Sequence, residues 1–407
     1  MSRIPFSPNL SRRLLPLYVA AASQGFVLWY AIEKVFMRTI GFDDQSVALA
    51  TIVYMATMAV ANVPFGILAD RWSRRGVLML ASSFLLLSTL VCGAANGFWM
   101  YTAGISIWGM FYACYAGTYD SVIYDLLLEE TGAKDNFEHY YGRVQLWDSV
   151  ALIIGSLLSG VLAHYAGLRA VYFWTMPATA VSFFALWKFR EPRLHKQQAK
   201  TLMHRHIATT LSAVWHNRHA RLVAMSLVFV GAGARLLFEF STLWFIALAL
   251  PLVWFGPMAA LSQISVGAGG MLAGRIKRRK RYMVAAAATA VVCGVLFTRH
   301  NIWLVIVGQM LFLGGLLSCE IILSRYLHDA VPSQVRVGAS SVVTTMSYVL
   351  FMPIAALFGV LSKHAGIFSA AWVVVATGGV GLVGFIGLAM RAQHTPATLP
   401  AVEGYSR

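Results

Sequence analysis

Long apolar runs alternate with short polar breaks over almost the whole chain. Runs of about 18 or more mostly apolar residues, enough for a helix to cross the hydrocarbon of a bilayer, cover 14–37, 46–69, 76–95, 98–127, 141–166 and 168–188. After a polar interval six more follow, at 219–247, 251–273, 282–298, 302–327, 337–362 and 366–390. The pattern predicts an all-α membrane protein with twelve transmembrane helices. The interval divides them into an N-terminal six-helix bundle (1–188), a linker (189–218), a C-terminal six-helix bundle (219–392) and a polar tail (393–407). The first run follows Arg3, Arg12 and Arg13, exceeds the length of a signal-peptide core and has no clean small-residue cleavage site after it, so it is read as an uncleaved span.

An internal repeat supports two pseudo-symmetric halves. Gly66-Ile-Leu-Ala-Asp70-Arg71-Trp-Ser-Arg74-Arg75 joins the second and third runs, and Gly270-Met-Leu-Ala-Gly274-Arg275-Ile-Lys-Arg278-Arg279 stands at the matching place in the second half. Composition agrees with a membrane class: 58% of residues are hydrophobic and 12% charged, with a mean hydropathy of +0.67. The formal charge of +16 sits in short inter-segment loops rather than along an aromatic-interleaved stripe, which points to lipid topology and away from nucleic acid.

One set of loops holds Arg71, Arg74, Arg75, Lys134, the linker, Arg275 to Arg281, Arg325 and Arg336, and the alternate set little beyond Arg38, Arg169, Arg299 and Lys363. By the positive-inside rule both termini and the linker are cytoplasmic, in the inner or plasma membrane. Cys92, Cys114, Cys293 and Cys319 lie singly in apolar runs and read as small core residues. The linker carries His195, His204, His206 and His216, with His219 just beyond. Their irregular spacing favours a connector lying partly on the lipid surface over a metal site.

Twelve spans, a central linker and a G-x-L-A-D-R-x-S-R-R turn after the second span resemble the major facilitator superfamily, secondary transporters built of two six-helix halves. The resemblance covers about residues 10–392. It implies that Asp70 docks on the helix beginning near Val337 when the transporter faces outward, and that Arg71 meets Asp125 at the end of the fourth span. In the second copy Gly274 replaces the acid, so one cytoplasmic latch is expected, formed by Gly66, Asp70, Arg71, Arg74, Arg75 and Asp125, with Gly270 and Arg275 as its topogenic echo. Gly66 is expected to let helix backbones approach. The fourth-helix arginine of many drug:proton antiporters is missing here. Their glycine-rich fifth-span signature survives only as Gly155-Ser-Leu-Leu-Ser-Gly160 without its proline, which reads better as close packing.

An ionisable group inside a span costs at least about 2.5–3.5 kcal/mol on insertion scales, so each needs a partner or water. Asp120, five residues deeper than Asp125 on one continuous fourth helix, is the better cavity candidate. Arg235 and Glu239 on the seventh span are spaced i,i+4 and so can pair; a structural ion pair and a carboxylate gated by its arginine both fit. Glu320 on the tenth span, with Gln309, faces either the cavity or a neighbouring helix. Glu33, beside Lys34 near the outer end of the first span, is either an outer-gate residue or an interfacial charge that snorkels. Arg143 and Asp148 join a charge network with Asp120 and Asp125.

Aromatic residues make up 13% of the chain, and Tyr112, Tyr115 and Tyr119 form one helical stripe beneath Trp108. These rings, with Gln24 and Gln309, are either cavity wall or interhelix packing. An aromatic cavity with few charges suits amphipathic or cationic organic cargo. No nucleotide-binding loop or metalloprotease motif occurs, and neither cofactor nor metal is implied. The expected function is transport by a monomer: proton-coupled export of small amphipathic molecules, with Asp120, Arg235, Glu239, Glu320 and Glu33 as the candidate proton or substrate site. Proton-symport uptake and a membrane sensor on a transporter scaffold are the alternatives.

Overall fold

A computed structural model describes residues 8–131, 137–192, 215, 217–331 and 336–391. Most of the linker, including His195, His204, His206 and His216, and the tail beyond residue 391 lie outside the described residues. Those described are almost wholly helical. In order they form α1 (Pro8–Gly25), α2 (Glu33–Thr39), α3 (Asp44–Arg71), α4 (Arg74–Ala94), α5 (Phe98–Tyr115), α6 (Thr118–Thr131), α7 (Phe137–Ala166) and α8 (Leu168–Lys188). The second half holds α9 (Arg218–Ala247), α10 (Phe255–Ile276), α11 (Lys280–Leu296), α12 (Ile302–Ala330), α13 (Arg336–Ala365) and α14 (Ile367–Arg391).

Ten stretches of the described residues are long and apolar enough to cross a membrane, α1 and α2 counting together as one. The ninth expected span, α11, is shorter at 17 residues. Short polar side chains fix several helix starts: Asp43 and Ser46 form a capping box on α3, Ser73 caps α4, and Asn217 and Asn301 cap α9 and α12. Exposed tryptophans mark both rims, Trp99 and Trp303 at one end, Trp72 and Trp187 at the other, where amphipathic rings favour the lipid–water interface.

Two spans expected as continuous helices are interrupted. The first splits into α1 and α2, with residues 26–29 non-helical and a 3-10 turn over Tyr30–Ile32. The break lies inside the protein, where the Leu28 amide finds the Thr175 hydroxyl at 3.3 Å. The fourth splits into α5 and α6: Ala116 is extended and Gly117 takes φ +76°, a conformation that costs an L side chain but not glycine.

The two halves close on each other at the end remote from the α3–α4 turn. There α3 meets α13: a β-carbon on Gly359 would lie 2.5 Å from that of Ala48, so bare backbone is needed for the approach. Gly256 at the head of α10 meets the Ser156 carbonyl of α7, and Gly160 abuts Leu252 and Val253, so the fifth-span glycines serve packing. Ser362 donates to Asp44 at 2.6 Å, and Lys363 reaches Asp43 at 2.9 Å and Gln45 at 3.2 Å. At the turn end, by contrast, an added β-carbon at Gly66, Gly267 or Gly274 meets nothing within 4 Å. Gly66 is therefore exposed rather than a point of helix approach.

Gly117→Ala is expected to lower stability by about 1–2 kcal/mol, read as a fall in unfolding midpoint in detergent, with a smaller loss for Gly117→Asn; equal stability would show that the break tolerates a side chain. The hydrogen bonds from Lys363 and Ser46 hold the Asp43 carboxyl below its ordinary range. A depressed carboxyl contributes fully above its ordinary pKa, near about 4, and loses its contribution as pH falls through the lower bound-state value. Lys363→Ala should thus increase labelling of a cysteine placed at Gln45 equally at every pH from 5 to 8, and a pH-dependent effect in that range would overturn this account of the clamp.

Candidate functional site

A cavity of about 380 Å³ lies between the halves, near mid-depth. The interrupted first span contributes Trp29, Tyr30 and Glu33; α5 adds Trp108 and Tyr112; α9 adds Arg235, Phe238 and Glu239; α12 and α13 add Glu320 and Tyr348. The i,i+4 spacing on α9 puts Arg235 and Glu239 on the same wall, as the periodicity predicts. They do not pair. The Arg235 guanidinium lies over the Tyr348 ring, 4.0 Å from its centre, and its buried Nε has no hydrogen-bond partner. Among the described residues neither Glu239 nor Glu320 forms an ion pair. The cavity therefore holds one arginine stacked on an aromatic ring and two carboxylates free to meet a ligand or a proton.

Glu33 and Lys34 overturn the interfacial reading. Lys34 is only 3% exposed, bonds Glu33 at 2.8 Å, and Glu33 also accepts from Tyr101 at 3.2 Å, which itself shares a 2.9 Å hydrogen bond with Tyr172. The break in the first span turns these residues inward, so neither snorkels. A polar recess of about 40 Å³ is lined by Glu33, Lys34, Glu239, Ser241, Thr242 and Ser262, among others. Glu239 thus borders both this recess and the main cavity.

A further pocket of about 130 Å³ adjoins the main cavity on the N-terminal side and is lined in part by Gln24, Tyr112, Tyr115 and Asp148. Gln24 is pinned, donating to Ser82 at 3.0 Å and accepting from Tyr119 at 2.9 Å. Tyr119, 1% exposed, is core rather than wall, and Gln309 is buried beside Ser241, whose carbonyl its amide approaches at 3.4 Å. Asp148 is the residue that sequence reasoning misassigned: it makes no ion pair with Arg143 and opens on this pocket. Positions 144, 145, 151 and 152 are Val, Gln, Ala and Leu. With no base at i±3 or i±4, Asp148 could have been recognised as an unpaired acid within a span.

At the turn end, Arg74 rather than Arg71 reaches Asp125. Arg71 ends α3 and is exposed, while Arg74 opens α4, which packs toward α6. Arg74 also donates to the Ser121 carbonyl at 3.3 Å and stands 3.7 Å from Asp70. Glu191 accepts from the Ser73 hydroxyl and the Arg74 amide, each at 2.6 Å. Asp70 is 53% exposed. Residues 332–335, just before its expected docking site near Val337, lie outside the described residues, as do the side chains of 336–338. Asp120 lines none of these three cavities; the break at Gly117 sets it in the first turn of α6, where its carboxylate accepts from the Ser121 amide at 3.0 Å. The described network is thus Asp70–Arg74–Asp125–Glu191, without Arg143, Asp148 or Asp120. Arg75 donates to the Trp187 carbonyl, and in the second copy an added β-carbon at Gly270 would meet Ile321, at 3.7 Å, and Arg275 is exposed.

Known proteins resemble this chain in sequence and in shape. The efflux pump azaK of Aspergillus niger is 23% identical over 167 residues, 40% of this chain and 34% of that protein. The chain spans about a third of that relative's length. A point mutant of the nucleoside transporter NupG superposes with a TM-score of 0.76 at 16% identity, over 92% of this chain and 98% of that one. A bacterial homologue of the lysosomal transporter Spinster, inward-facing and unoccupied, superposes with a TM-score of 0.73 at 13% identity, over 95% and 98%. At such identities the superpositions establish the fold. A sequence model of the Major Facilitator Superfamily matches residues 14–352, most of both halves and the turn between the second and third spans. The chain belongs to the Major Facilitator Superfamily and has its multi-pass membrane fold.

Proposed function

We propose that the protein exports small amphipathic organic molecules in exchange for protons, as a monomer, by alternating access about the central cavity. The observation that carries this reading is the pair of unpaired carboxylates, Glu239 and Glu320, facing one largely apolar, partly aromatic cavity between the halves. Such a wall favours apolar bodies, and a carboxylate that a proton or a cationic cargo can neutralise alternately is the simplest coupling device in low dielectric. Glu239 also borders the polar recess holding Glu33 and Lys34, which gives a proton an exit separate from the cargo. The resemblance to an efflux pump over part of its length favours export.

With the basic loops cytoplasmic, in the inner or plasma membrane, the crevice faces inward, loaded from the cytoplasm. Among the described residues Asp70 meets Arg74, at 3.7 Å. Docking of Asp70 at the start of α13 belongs to the outward-facing state, in which the turn ends of the halves approach. Arg74 and Asp125 then hold the latch in place from behind.

In energised inverted vesicles, adding a lipophilic cation should release protons from the lumen. Efflux without dependence on the proton gradient would remove the antiport mechanism, and proton uptake with cargo would indicate symport. Glu239→Gln should abolish or uncouple transport while the protein still elutes as a folded monomer; unchanged pH-dependent transport would leave Glu239 as mere wall. Asp70→Asn should slow exchange between the two facing states, measured by turnover, with little change in half-saturation concentration, and a pure affinity loss would contradict the latch.

A further inference from the structure

The pocket beside the central cavity is built differently from the cavity itself. Trp108, Phe111, Tyr112 and Tyr115 descend one side of α5 into it, neighbouring rings 5.1–5.7 Å apart, and Tyr30 and Phe238 are shared with the main cavity, so the two spaces adjoin. A single acid, Asp148, enters this enclosure. It can do so because α1 ends at Gly25, where any β-carbon would strike the Asp148 carbonyl and carboxylate.

What sets Asp148 apart is its company. Glu33 is bonded to Lys34, and Glu239 and Glu320 share their cavity with Arg235. Asp148 has no ion pair among the described residues, and no basic side chain lines its pocket. The Tyr115 hydroxyl, in the same pocket, is likewise buried without a partner. A lone carboxylate among ring faces suits an organic cation, since the faces attract positive charge and the carboxylate supplies the counter-ion. A hard metal ion would require several oxygen ligands, which aromatic walls do not offer.

We propose that this pocket is a recognition subsite for the ammonium head of an amphipathic amine whose apolar body occupies the 380 Å³ cavity next to it. The proposal rests on the transport reading above and narrows its cargo to organic cations. The two charges in play balance: cargo cation against Asp148 carboxylate, with Glu239 left for the proton.

The test is equilibrium binding to the purified full-length protein of benzyltrimethylammonium, whose charge is permanent, and of neopentylbenzene, its uncharged carbon isostere. The native protein should prefer the cation at least tenfold. Asp148→Asn should erase that preference and leave the neutral affinity in place, whereas Glu239→Gln should retain it. Leu152→Lys, which sets an ammonium one helical turn from Asp148 in the same pocket, should also abolish cation binding and spare the neutral compound, which keeps the test available should the asparagine variant fail to fold. Survival of the preference in Asp148→Asn, or equal loss of both ligands, overturns the subsite. Equal affinities in the native protein overturn the subsite alone, while failure to bind or transport either compound overturns the amphipathic-cargo reading itself.

Discussion

A peptide group left unpaired in hydrocarbon costs several kcal/mol, and the architecture follows from that constraint. At residues 27–29 the departure from helix is buried among protein atoms, whereas Ala116 and Gly117, at the second break, are exposed. The first break carries Trp29, Tyr30 and Glu33 into the cavity wall and, by ending α1 at Gly25, admits Asp148 from α7. The first interruption is the site where the fold exchanges backbone hydrogen bonds for cavity.

The second constraint is charge in a medium of low dielectric. Two bases and three acids meet around the main cavity and its polar recess: Lys34 and Arg235, Glu33, Glu239 and Glu320. Lys34 and Glu33 neutralise each other directly. Arg235 is held by Tyr348 instead of by a carboxylate, which leaves Glu239 and Glu320 under its field but not consumed by it. An arginine committed to both glutamates would have produced a rigid ion cluster. Stacking on a ring fixes the guanidinium while leaving the acids accessible, the condition a coupling carboxylate requires.

Most of the fold was legible in the sequence because membrane helices announce themselves by length and apolarity alone. Twelve segments, two halves and the repeated turn are all read from local pattern. The cavity was partly legible: Arg235, Glu239, Glu320, Trp108 and Tyr112 stand out as charges or aromatic stripes inside spans, and all line it. The failures share one origin. Asp120 was placed on a fourth helix taken as unbroken and the interfacial alternative for Glu33 on a first span taken as unbroken, and each residue lies just beyond a break that re-aims it. Gly117 carried a weak signal of its own; residues 26–29 carried none, since neither proline nor a turn dipeptide marks them. Arg74 was passed over for Arg71 because a resemblance assigns partners by position, whereas partnership depends on which arginine follows the Ser73 cap onto α4.

The two ends of the bundle solve opposite problems. The far end is closed by glycines that bring backbones together and by exposed polar bonds such as Lys363–Asp43, whose worth in solvent is small. At the turn end, the described charges of the first half are met within that half by Arg74, Asp125 and Glu191. A transporter must interchange these arrangements at thermal cost, so neither closure can be strong. Shape-matched small residues serve this well, because they give many weak contacts that separate without stranding a buried charge. A deep ion pair across the halves would have cost several kcal/mol to break. Among the described residues the buried ion pairs lie within one half and the pair between the halves, Lys363–Asp43, is exposed, an arrangement that keeps two facing states close in energy.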